Sequence, residues 1–406
     1  MALNLKCIGE KIGPFIKDYE QKDAILYALG VGAGFSDLHY CYEKDLKVIP
    51  SFSIALIFET LAGFAIKAEV NLAGILHGEQ ELIFHNPIPP EGTLTTNGQI
   101  SKIYDKGKDK GALVIGESDT FHSNGQKLYT SIFSLFCRLD GGFDGEKTPK
   151  TQFKFPKRKP DFIVKETPLA EQPLIYRLSG DIFPLHADPE FAKASGFERP
   201  IMHGLCTHGF ACRALISQLI PGEPDKARRM ACRFAGTLYP GIAIKTLIWK
   251  TEDEKAVWKV INAETNDIII NNGIFEFGDI PKDEIGFNDR VVAVTGGGDM
   301  NPAGLFKRMP DVFKKEAAAG MDVVFQFNIK GPKGGDWIVA VKDKECDIKP
   351  GEAQNPNCTL TMSDDNFVKL FTGVMTSMQA FSSGKLSLDG DIMKSQLIEK
   401  IFDLNL

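Results

Sequence analysis

The sequence predicts an α+β protein built from two successive units of one kind, each an apolar helix followed by antiparallel strands, and a smaller α+β unit after them. Three observations lead to this prediction. Helices that are apolar around most of their circumference occur twice, strand-like segments separated by turns follow each of them, and segments of linker composition divide the chain at 140–173 and 279–299. One helix enclosed by a long antiparallel sheet is the hot-dog arrangement. The first two units therefore predict a double hot-dog, that is, two helix-wrapped antiparallel sheets.

Composition limits the classes of function. The 406 residues are 43% hydrophobic and 25% charged and carry a formal net charge of −6. These values are typical of soluble globular domains and give no reason to expect nucleic acid as a partner. The eight cysteines form no CxxC pair, so we interpret them as thiols of a reducing compartment. The most membrane-like segment, Ile49–Ala68, carries Glu59 near its centre, and we predict a buried helix there and no transmembrane segment.

The first unit, residues 1–150, begins with a helix over 23–34. A strand is predicted over 37–43 because polar and apolar residues alternate there. The apolar helix follows over 51–68. From 74 to 139 the pattern changes to strands, divided by Asn-Gly and glycine-rich turns.

Residues 140–173 have the composition of a linker and contain the basic run Lys154–Lys159. Two interpretations of this run are open. It is either a solvated spacer, which we favour, or a binding patch.

The second unit, residues 165–280, repeats the order of the first. A helix over 204–220 ends at Pro221-Gly222 and precedes four strand-like segments. Turns recur in corresponding places, since Asn124-Gly125 is matched by Asn272-Gly273. The two units therefore indicate a duplication.

The third unit, residues 298–406, is predicted to contain a helix over 301–319, short strands, helices over 364–371 and 374–381, and a last helix over 392–402. It has no paired carboxylates and no nucleophile near a histidine, so we expect it to bury something apolar. Four apolar residues either line such a site or form ordinary core: Val374, Met375, Met378 and Phe381.

One stretch of the second unit places a carboxylate and an imidazole five positions apart, at Asp181 and His186. Gly180 and Pro184 prevent a regular helix there. Gly204 then opens the long apolar helix, where its backbone N–H is unobstructed by a side chain. These features together predict a site.

Such a pair can flank one water molecule, with the neutral imidazole taking its proton while the carboxylic acid delivers one elsewhere. The N–H of Gly204 can hold a carbonyl oxygen that becomes enolate-like. These parts suit the addition of water to a carbon–carbon double bond conjugated to a carbonyl, or its removal. On spacing alone, another interpretation is equally open: Asp181 caps a turn and His186 is a structural histidine.

Metal binding is less favoured by the spacing. His203 and His208 are five positions apart, no HExxH motif is present, and no cysteine or carboxylate lies at ligand spacing. We predict no metal site.

The stretch from Asp181 to His186 and the segment His203-Gly204-Leu205-Cys206-Thr207 resemble the hydratase-2 motif of the MaoC-like enoyl-CoA hydratases. The similarity is strongest to the hydratase segment of peroxisomal multifunctional enzymes of type 2. It extends through DAILYALGVGAG, LHGEQEL and YDKG in the first unit and RFAGTLYPG in the second. The third unit resembles a sterol carrier protein 2 (SCP2) domain in FVKLFTGVMTSMQAFSSGKLSLDGDIMKSQ.

The resemblance implies a hydro-lyase of fatty-acid β-oxidation that converts trans-2-enoyl-CoA reversibly to (3R)-3-hydroxyacyl-CoA. It implies no cofactor beyond the CoA of the substrate, and an apolar lipid or acyl-CoA in the SCP2-like domain. Asp181 and His186 would act on water and Cα, and the Gly204 N–H would belong to the oxyanion hole. The first unit would be non-catalytic and accommodate the acyl chain. Further residues implied to contact the acyl-CoA are His77, Gly78, Lys106, Ile182, Phe183, Pro184, Leu185 and Phe234.

Phe183 departs from the family pattern D-x-N-P-x-H, which has asparagine at its position. A polar contact of this kind contributes about 0.5–1.5 kcal/mol in ordinary settings. A second function therefore stays open, a catalytically weakened protein that binds acyl-CoA or lipid. A thioesterase on the same fold is a more distant alternative.

The resemblance also implies a peroxisomal location and a homodimer. The ending Leu404-Asn405-Leu406 is not of the S-K-L type, so a cytosolic location is the alternative.

Overall fold

The computed structural model describes residues 3–71, 74–149, 153–279, 301–371, 377–382, 384–395 and 397–402. These residues form two compact bodies. The N-terminal body ends at 279 and the C-terminal body begins at 301. Among the described residues, no helix has both the length and the apolar character needed to cross a membrane.

The N-terminal body contains ten strands and seven helices among its described residues. The strands are β1 Lys11–Tyr19, β2 Ile75–Phe84, β3 Gly92–Asp105, β4 Ala112–His122, β5 Lys127–Cys137, β6 Phe162–Glu166, β7 Ala227–Phe234, β8 Ile244–Glu252, β9 Lys255–Asn262 and β10 Ile268–Phe277. The helices are α1 Gln21–Gly30, α2 Leu38–Cys41, α3 Phe52–Leu56, α4 Phe58–Lys67, α5 Gln172–Tyr176, α6 Pro189–Ala194 and α7 Gly204–Leu219.

All ten strands belong to one antiparallel sheet in the order β1-β3-β4-β5-β2-β7-β10-β9-β8-β6. The two predicted sheets are thus joined edge to edge, because β2 pairs with β7 from Glu79 opposite Arg233 to Ile83 opposite Arg229. A double hot-dog with a continuous sheet confirms the predicted fold class.

Each half of the sheet packs against its own central helix. In the first half Phe64 of α4 meets Phe133 of β5 edge to face, with ring centroids 4.9 Å apart. Gly98 and Gly116 lie directly beneath Phe64, where a Cβ would clash with its ring. In the second half α7 is buried along most of its length, and its His208 ring lies 6.2 Å from that of Trp258 on β9. The apolar periodicity of both helices therefore reflects enclosure by the sheet.

Several details differ from the sequence prediction. Residues 37–43 are not a strand: a 3₁₀ turn and α2 occupy them, and Tyr40 is buried while Leu38 and Tyr42 are exposed, so the alternation does not mark one face of a sheet. The helix over 51–68 is divided at Ile57, whose φ of −111° and ψ of 10° are not helical. The edge strands β1 and β6 were not predicted.

The turn predicted at Asn272-Gly273 is wrong. Both residues lie inside β10, where the pairing with β7 and β9 shifts register and Asn272 takes a φ of +52°. The dipeptide therefore marks an irregularity within a strand and not the end of one.

The basic run Lys154–Lys159 packs against the sheet instead of forming a free spacer. The ring of Phe155 lies 5.3 Å from that of Trp249, and Arg158 donates to the carbonyl of Lys250 at 2.6 Å. Arg158 also pairs with Asp161 at 2.6 Å. These contacts lead the chain into β6 at the edge of the sheet.

The C-terminal body has a five-stranded sheet. Its strands are β11 Asp322–Lys330, β12 Gly335–Lys342, β13 Glu345–Pro350, β14 Cys358–Ser363 and β15 Leu386–Gly390. They lie in the order β13-β12-β11-β14-β15, in which β11 and β14 are parallel. Its described helices are α8 Pro302–Arg308, α9 Asp364–Phe371, α10 Ser377–Ser382, α11 Ile392–Ser395 and α12 Leu397–Ile401.

Stacked aromatic rings form the centre of this body. Phe306 of α8 stacks on Trp337 and on Phe367 at centroid distances of 4.6 Å, and Phe367 stacks on Phe371 at 4.4 Å. The predicted helix over 301–319 ends after α8, and two 3₁₀ turns follow in its place, the first of them with Pro310 at its beginning.

Several features considered in the sequence fall on residues or side chains that are not described. Of the four apolar residues, Phe381 packs against the core. Val374 and Met375 lie outside the described residues, as does the side chain of Met378. The linker beyond 279 and the C-terminal tripeptide also lie outside them.

Candidate active site

The segment that carries Asp181 and His186 is held in place by buried residues on either side of it. Tyr176 at the end of α5 is buried between Tyr27 and His203, with ring centroids 5.9 and 4.9 Å away. A 3₁₀ turn follows, and Gly180 then takes a φ of +131°, a conformation that residues with a Cβ rarely adopt. The glycine thus turns the chain so that Asp181 comes next to the start of α7.

His186 ends a 3₁₀ turn that begins at Pro184. Its Nδ1 lies 2.9 Å from the carbonyl oxygen of Ile201. Because a carbonyl only accepts hydrogen bonds, Nδ1 carries the proton in the neutral ring, and Nε2 presents a lone pair. Burial lowers the pKa of His186, although the charge of Asp181 opposes this effect. The residue is therefore a neutral imidazole suited to accept a proton.

Asp181 is half-buried, and its Oδ1 accepts a hydrogen bond from the backbone N–H of Phe183 at 3.3 Å. Burial raises the pKa of the carboxyl group, while the nearby His186 and this hydrogen bond lower it. A carboxyl group with a raised pKa can hold and deliver a proton. The environment thus favours the neutral forms of both members of the pair.

His203 completes this cluster. Its ring stacks on that of His186 with centroids 3.7 Å apart and an interplanar angle of 27°, and its Nε2 lies 3.1 Å from the backbone oxygen of Asp181. One ring nitrogen of each histidine and one carboxylate oxygen of Asp181, the atoms that could bind a metal ion, lie within 4.8 Å of one another. Stacked imidazoles direct their in-plane lone pairs nearly in parallel, whereas one metal ion needs lone pairs that converge. The geometry therefore suits an acid/base cluster better than a metal centre.

Gly204 is the first residue of α7, and its N–H has no acceptor within the helix. A Cβ at this position would lie only 3.0 Å from the Phe234 ring. Phe234 in turn meets His77 at a centroid distance of 5.2 Å. His77 and Phe234, implied by resemblance, thus lie beside the helix start that carries the candidate oxyanion donor.

Lys106 lies further along the sheet. Its Nζ is 5.6 Å from the centroid of Phe136, and Phe136 is close to Gly78, where a Cβ would be 3.7 Å from the Phe136 Cβ. The turn that carries Lys106 is fixed by buried Asp105, which accepts N–H groups of Gly107 and Gly142 at 2.7 and 2.8 Å. Lys106 is exposed and free to meet an anionic group.

The four residues between Asp181 and His186 differ in their surroundings. Leu185 is buried in a small cluster with Ala192 and Ile201, so it holds the segment in place. Ile182 and Pro184 are half-buried.

Phe183 is 46% exposed. Its ring meets that of Phe191 edge to face at 5.3 Å, and it lies 6.5 Å from the His186 ring. An aromatic side chain therefore stands beside the base where the family pattern has an amide.

Sequence reasoning gave two of these residues too little weight. His203 was considered only as a metal ligand and as part of the family motif, and Phe136 was not considered. A histidine directly before the helix-opening glycine is the signal that could have identified His203. Phe136 carries no such signal, because it is one of several aromatic residues in β5.

His208, one turn after Gly204 in α7, is fully buried, and neither ring nitrogen forms a hydrogen bond within the described chain. Burial lowers its pKa to about 3. The unfolded chain, with a histidine pKa of about 6.5, therefore binds the proton first as the pH falls. The contribution of His208 to the free energy of unfolding is therefore complete above about pH 6.5, and it is lost progressively as the pH falls toward 3.

We expect the melting temperature of the N-terminal body to fall between pH 7 and pH 5, and to fall less in His208→Gln. One such histidine contributes up to about 1.4 kcal/mol per pH unit to the free energy of unfolding. Thermal unfolding of both proteins at the two pH values measures the difference. Equal shifts in the two proteins would contradict this interpretation.

Three known domain families match successive parts of the chain. The MFE-2 hydratase 2 N-terminal domain matches residues 18–139, the MaoC like domain matches 150–273, and the SCP-2 sterol transfer family matches 305–403.

Two relatives match the chain over different lengths. The chain is 36% identical over 279 residues to a probable enoyl-CoA hydratase 2 of Dictyostelium discoideum, which covers 66% of this chain and 94% of that protein. It is 31% identical over 414 residues to the peroxisomal multifunctional enzyme type 2 of Mus musculus, which covers 97% of this chain. The match spans about half of that mouse enzyme, 55% of its length.

Solved structures agree with the fold. A MaoC-like dehydratase from Phytophthora capsici is 30% identical, with a TM-score of 0.62 over 68% of this chain and 98% of that one. The full-length peroxisomal multifunctional enzyme type 2 of Drosophila melanogaster is 32% identical, with a TM-score of 0.58 over 66% of this chain and 49% of that one. The chain belongs to the MaoC-like enoyl-CoA hydratase 2 family and carries a C-terminal domain of the SCP-2 sterol transfer family.

Proposed function

We propose that this protein is a (3R)-specific 2-enoyl-CoA hydratase of fatty-acid β-oxidation, which adds water reversibly to trans-2-enoyl-CoA. The observation that carries the proposal is the half-buried pair of Asp181 and His186 beside the free N–H of Gly204. Several relatives are named enoyl-CoA hydratases or peroxisomal multifunctional enzymes. These names support the proposed substrate class and pathway.

In the hydration direction, Nε2 of His186 accepts a proton from water while the hydroxide oxygen forms a bond to C3 of the substrate. The double-bond electrons move toward the thioester carbonyl, and the carboxyl group of Asp181 delivers its proton to C2. The proton on His186 then returns to Asp181, so one water molecule has been added and both groups are restored. A carboxylate oxygen of Asp181 and a ring nitrogen of His186 lie within 4.8 Å of each other, which is close enough for one water molecule to bridge them and pass the proton.

The enolate-like oxygen that develops on the thioester would accept a hydrogen bond from the N–H of Gly204. The positive end of the α7 dipole would strengthen this interaction. His77 and Phe234 would border the thioester, and Gly78 and Lys106 would extend the site toward CoA, with Lys106 facing a phosphate. All of these groups come from the chain itself, so the proposed reaction needs no cofactor apart from the CoA carried by the substrate.

The proposal is tested by the loss of enoyl-thioester absorbance when the full chain is added to trans-2-decenoyl-CoA. We expect turnover, with 3-hydroxydecanoyl-CoA as the product. Release of free CoA instead would identify a thioesterase. Binding of the substrate without any product would favour a protein that only binds acyl-CoA.

Phe183 is the observation that favours this second function, because its ring replaces an amide beside His186. We expect Phe183→Asn to raise kcat/KM by about 2- to 12-fold, since the regained hydrogen bond contributes about 0.5–1.5 kcal/mol. Phe191→Asn is the matched control, because it removes the other ring of the edge-to-face pair without restoring the motif.

An increase in Phe183→Asn but not in Phe191→Asn would mean that the phenylalanine weakens an intact site. A decrease in Phe183→Asn would show instead that the aromatic ring has become part of the working site.

We further propose that the C-terminal domain binds an apolar lipid or acyl-CoA, as the SCP-2 sterol transfer family match suggests. Saturable binding of a fluorescent fatty acid to the full chain, and its loss from a chain that ends at residue 279, is the expected result. Equal binding by both chains would assign the lipid to the N-terminal body instead.

The proposed location is the peroxisome, because several relatives are named peroxisomal. The proposed assembly is a homodimer, which the family resemblance alone supports. Fluorescence microscopy of the tagged chain and light scattering on the purified protein test these two proposals.

A further inference from the structure

His203 touches all three parts of the candidate active site. Its Nε2 lies 3.1 Å from the backbone oxygen of Asp181, so the N–H on this atom donates to the segment that carries the acid. Its ring stacks on His186 at 3.7 Å. Its backbone precedes Gly204, and its φ of −61° and ψ of 132° set the direction in which α7 starts. No other residue described above contacts the acid, the base and the oxyanion donor.

The ring of His203 is almost fully buried, with 1% of the residue exposed, and its Nδ1 forms no hydrogen bond within the described chain. The titratable or charged groups that face it are His186, Asp181, Tyr176 and Arg177. Burial and the neighbouring His186 keep the pKa of His203 well below its usual range. Its neutral ring can therefore pack face to face with His186 without repulsion between two cations.

We propose that His203 is a positioning residue, which holds the acid, the base and the oxyanion donor in one arrangement through its Nε2–H, its ring face and its place before Gly204. This inference rests on the proposed hydratase function. It adds a role for a residue that the sequence indicated only as part of the family motif and as a less favoured metal ligand.

Each of its two side-chain contacts fixes a different catalytic group. The hydrogen bond ties the backbone at Asp181 to the start of α7, so the distance from the carboxyl group to the Gly204 N–H depends on it. The stack fixes the plane of the His186 ring. Apart from the stack, one hydrogen bond limits the rotation of this ring, from Nδ1–H to the carbonyl oxygen of Ile201. A small displacement of either group costs rate, because acid, base and oxyanion donor must act on one substrate.

Three variants separate the two contacts. His203→Phe retains the stack and loses the N–H, His203→Gln retains an N–H donor and loses the ring, and His203→Ala loses both. His208→Ala is the matched control, because His208 is buried in the same helix five residues later and contacts none of the three catalytic groups described. We expect kcat to fall about tenfold in each of the first two variants, the equivalent of about 1.4 kcal/mol. In His203→Ala we expect a fall of about a hundredfold. KM should change by less than about twofold.

If His203 had only a structural role, kcat would fall only where the protein also loses stability, measured as a lower melting temperature. If His208→Ala lowered kcat as much as His203→Ala at a similar loss of melting temperature, the positioning role would be overturned. Retention of kcat within twofold in His203→Ala would overturn it as well.

Proton NMR of the His186 ring gives a readout that does not depend on turnover. We expect the carbon-bound ring protons of His186 to lose the upfield ring-current shift in His203→Gln and His203→Ala and to keep one in His203→Phe. If the unaltered protein showed no turnover, the proposed hydratase function would fail, and these shifts would still test the stack. Unchanged His186 resonances in His203→Ala would contradict the positioning role.

Discussion

Replacing either member of the acid/base pair is expected to reduce hydration of trans-2-decenoyl-CoA by about 10²- to 10⁴-fold in kcat, the usual contribution of general acid–base catalysis. Asp181→Asn and His186→Gln are suitable changes because they keep the approximate size of each side chain. Asparagine cannot deliver the carboxyl proton, and glutamine cannot accept a proton from water. Because neither change alters the surface proposed to bind CoA, KM should remain within a few-fold of its original value.

The double variant makes this test sharper. If the two groups act on one water in a single cycle, removing the second after the first should have little further effect, since residues that act as a unit are not additive. Steady-state kinetics of both single variants and the double variant measure this. Multiplicative losses, or single variants that retain more than about a tenth of the original kcat, would contradict the proposed roles.

The second large effect is expected at Gly204. Gly204→Pro removes the N–H that would hold the developing oxyanion, and the loss of one such donor typically lowers kcat by about 10²- to 10³-fold. Proline is tolerated at the first position of a helix, and His203 already has the extended backbone that a residue before proline adopts. The helix should therefore still form in this variant.

Gly204→Ala is the control for crowding, since its Cβ would also meet the ring of Phe234 but its N–H is retained. Comparison of kcat between the proline and alanine variants isolates the contribution of the donor. A proline variant as active as the alanine variant would show that the Gly204 N–H does not stabilise the transition state.

Much of this fold could be predicted because its signals are local and repeated. The helix over 204–220 was predicted from a nearly continuous apolar surface, and α7 occupies Gly204–Leu219. Asp188 before Pro189 is an equally local signal for the start of α6, since its side chain accepts hydrogen bonds from the N–H groups of Glu190 and Phe191. Strand-rich segments likewise gave the antiparallel strands of both halves, and the Asn124-Gly125 turn joins β4 to β5. The matching Asn272-Gly273 is not a turn, because it lies inside β10.

Features that depend on distant parts of the chain could not be predicted in this way. The pairing of β2 with β7 joins segments about 150 residues apart, and nothing within either segment indicates its partner. The short alternation at 37–43 was misleading because Tyr40 is buried by tertiary packing in α2, where a period of two has no meaning. Even the edge strand β6 lies in a segment whose prolines and charges are typical of linkers.

The same limit applies to the candidate site. Asp181, His186 and Gly204 were identified from residue type, spacing and resemblance. The stack of His203 on His186 and the contact of Phe234 with Gly204 arise only when α7 is placed against β7 and the preceding loop. Sequence therefore indicated the reacting groups, whereas the residues that hold them became visible only in the folded chain.

The central claim is that this acid/base pair adds water to an enoyl thioester on one face. The measurement that tests it most directly is the configuration of the product formed from trans-2-decenoyl-CoA by the full chain, determined by chiral chromatography. We predict that the unaltered protein forms (3R)-3-hydroxydecanoyl-CoA and that Asp181→Asn forms it much more slowly. A (3S) product, or a (3R) product formed equally fast by Asp181→Asn, would contradict the claim.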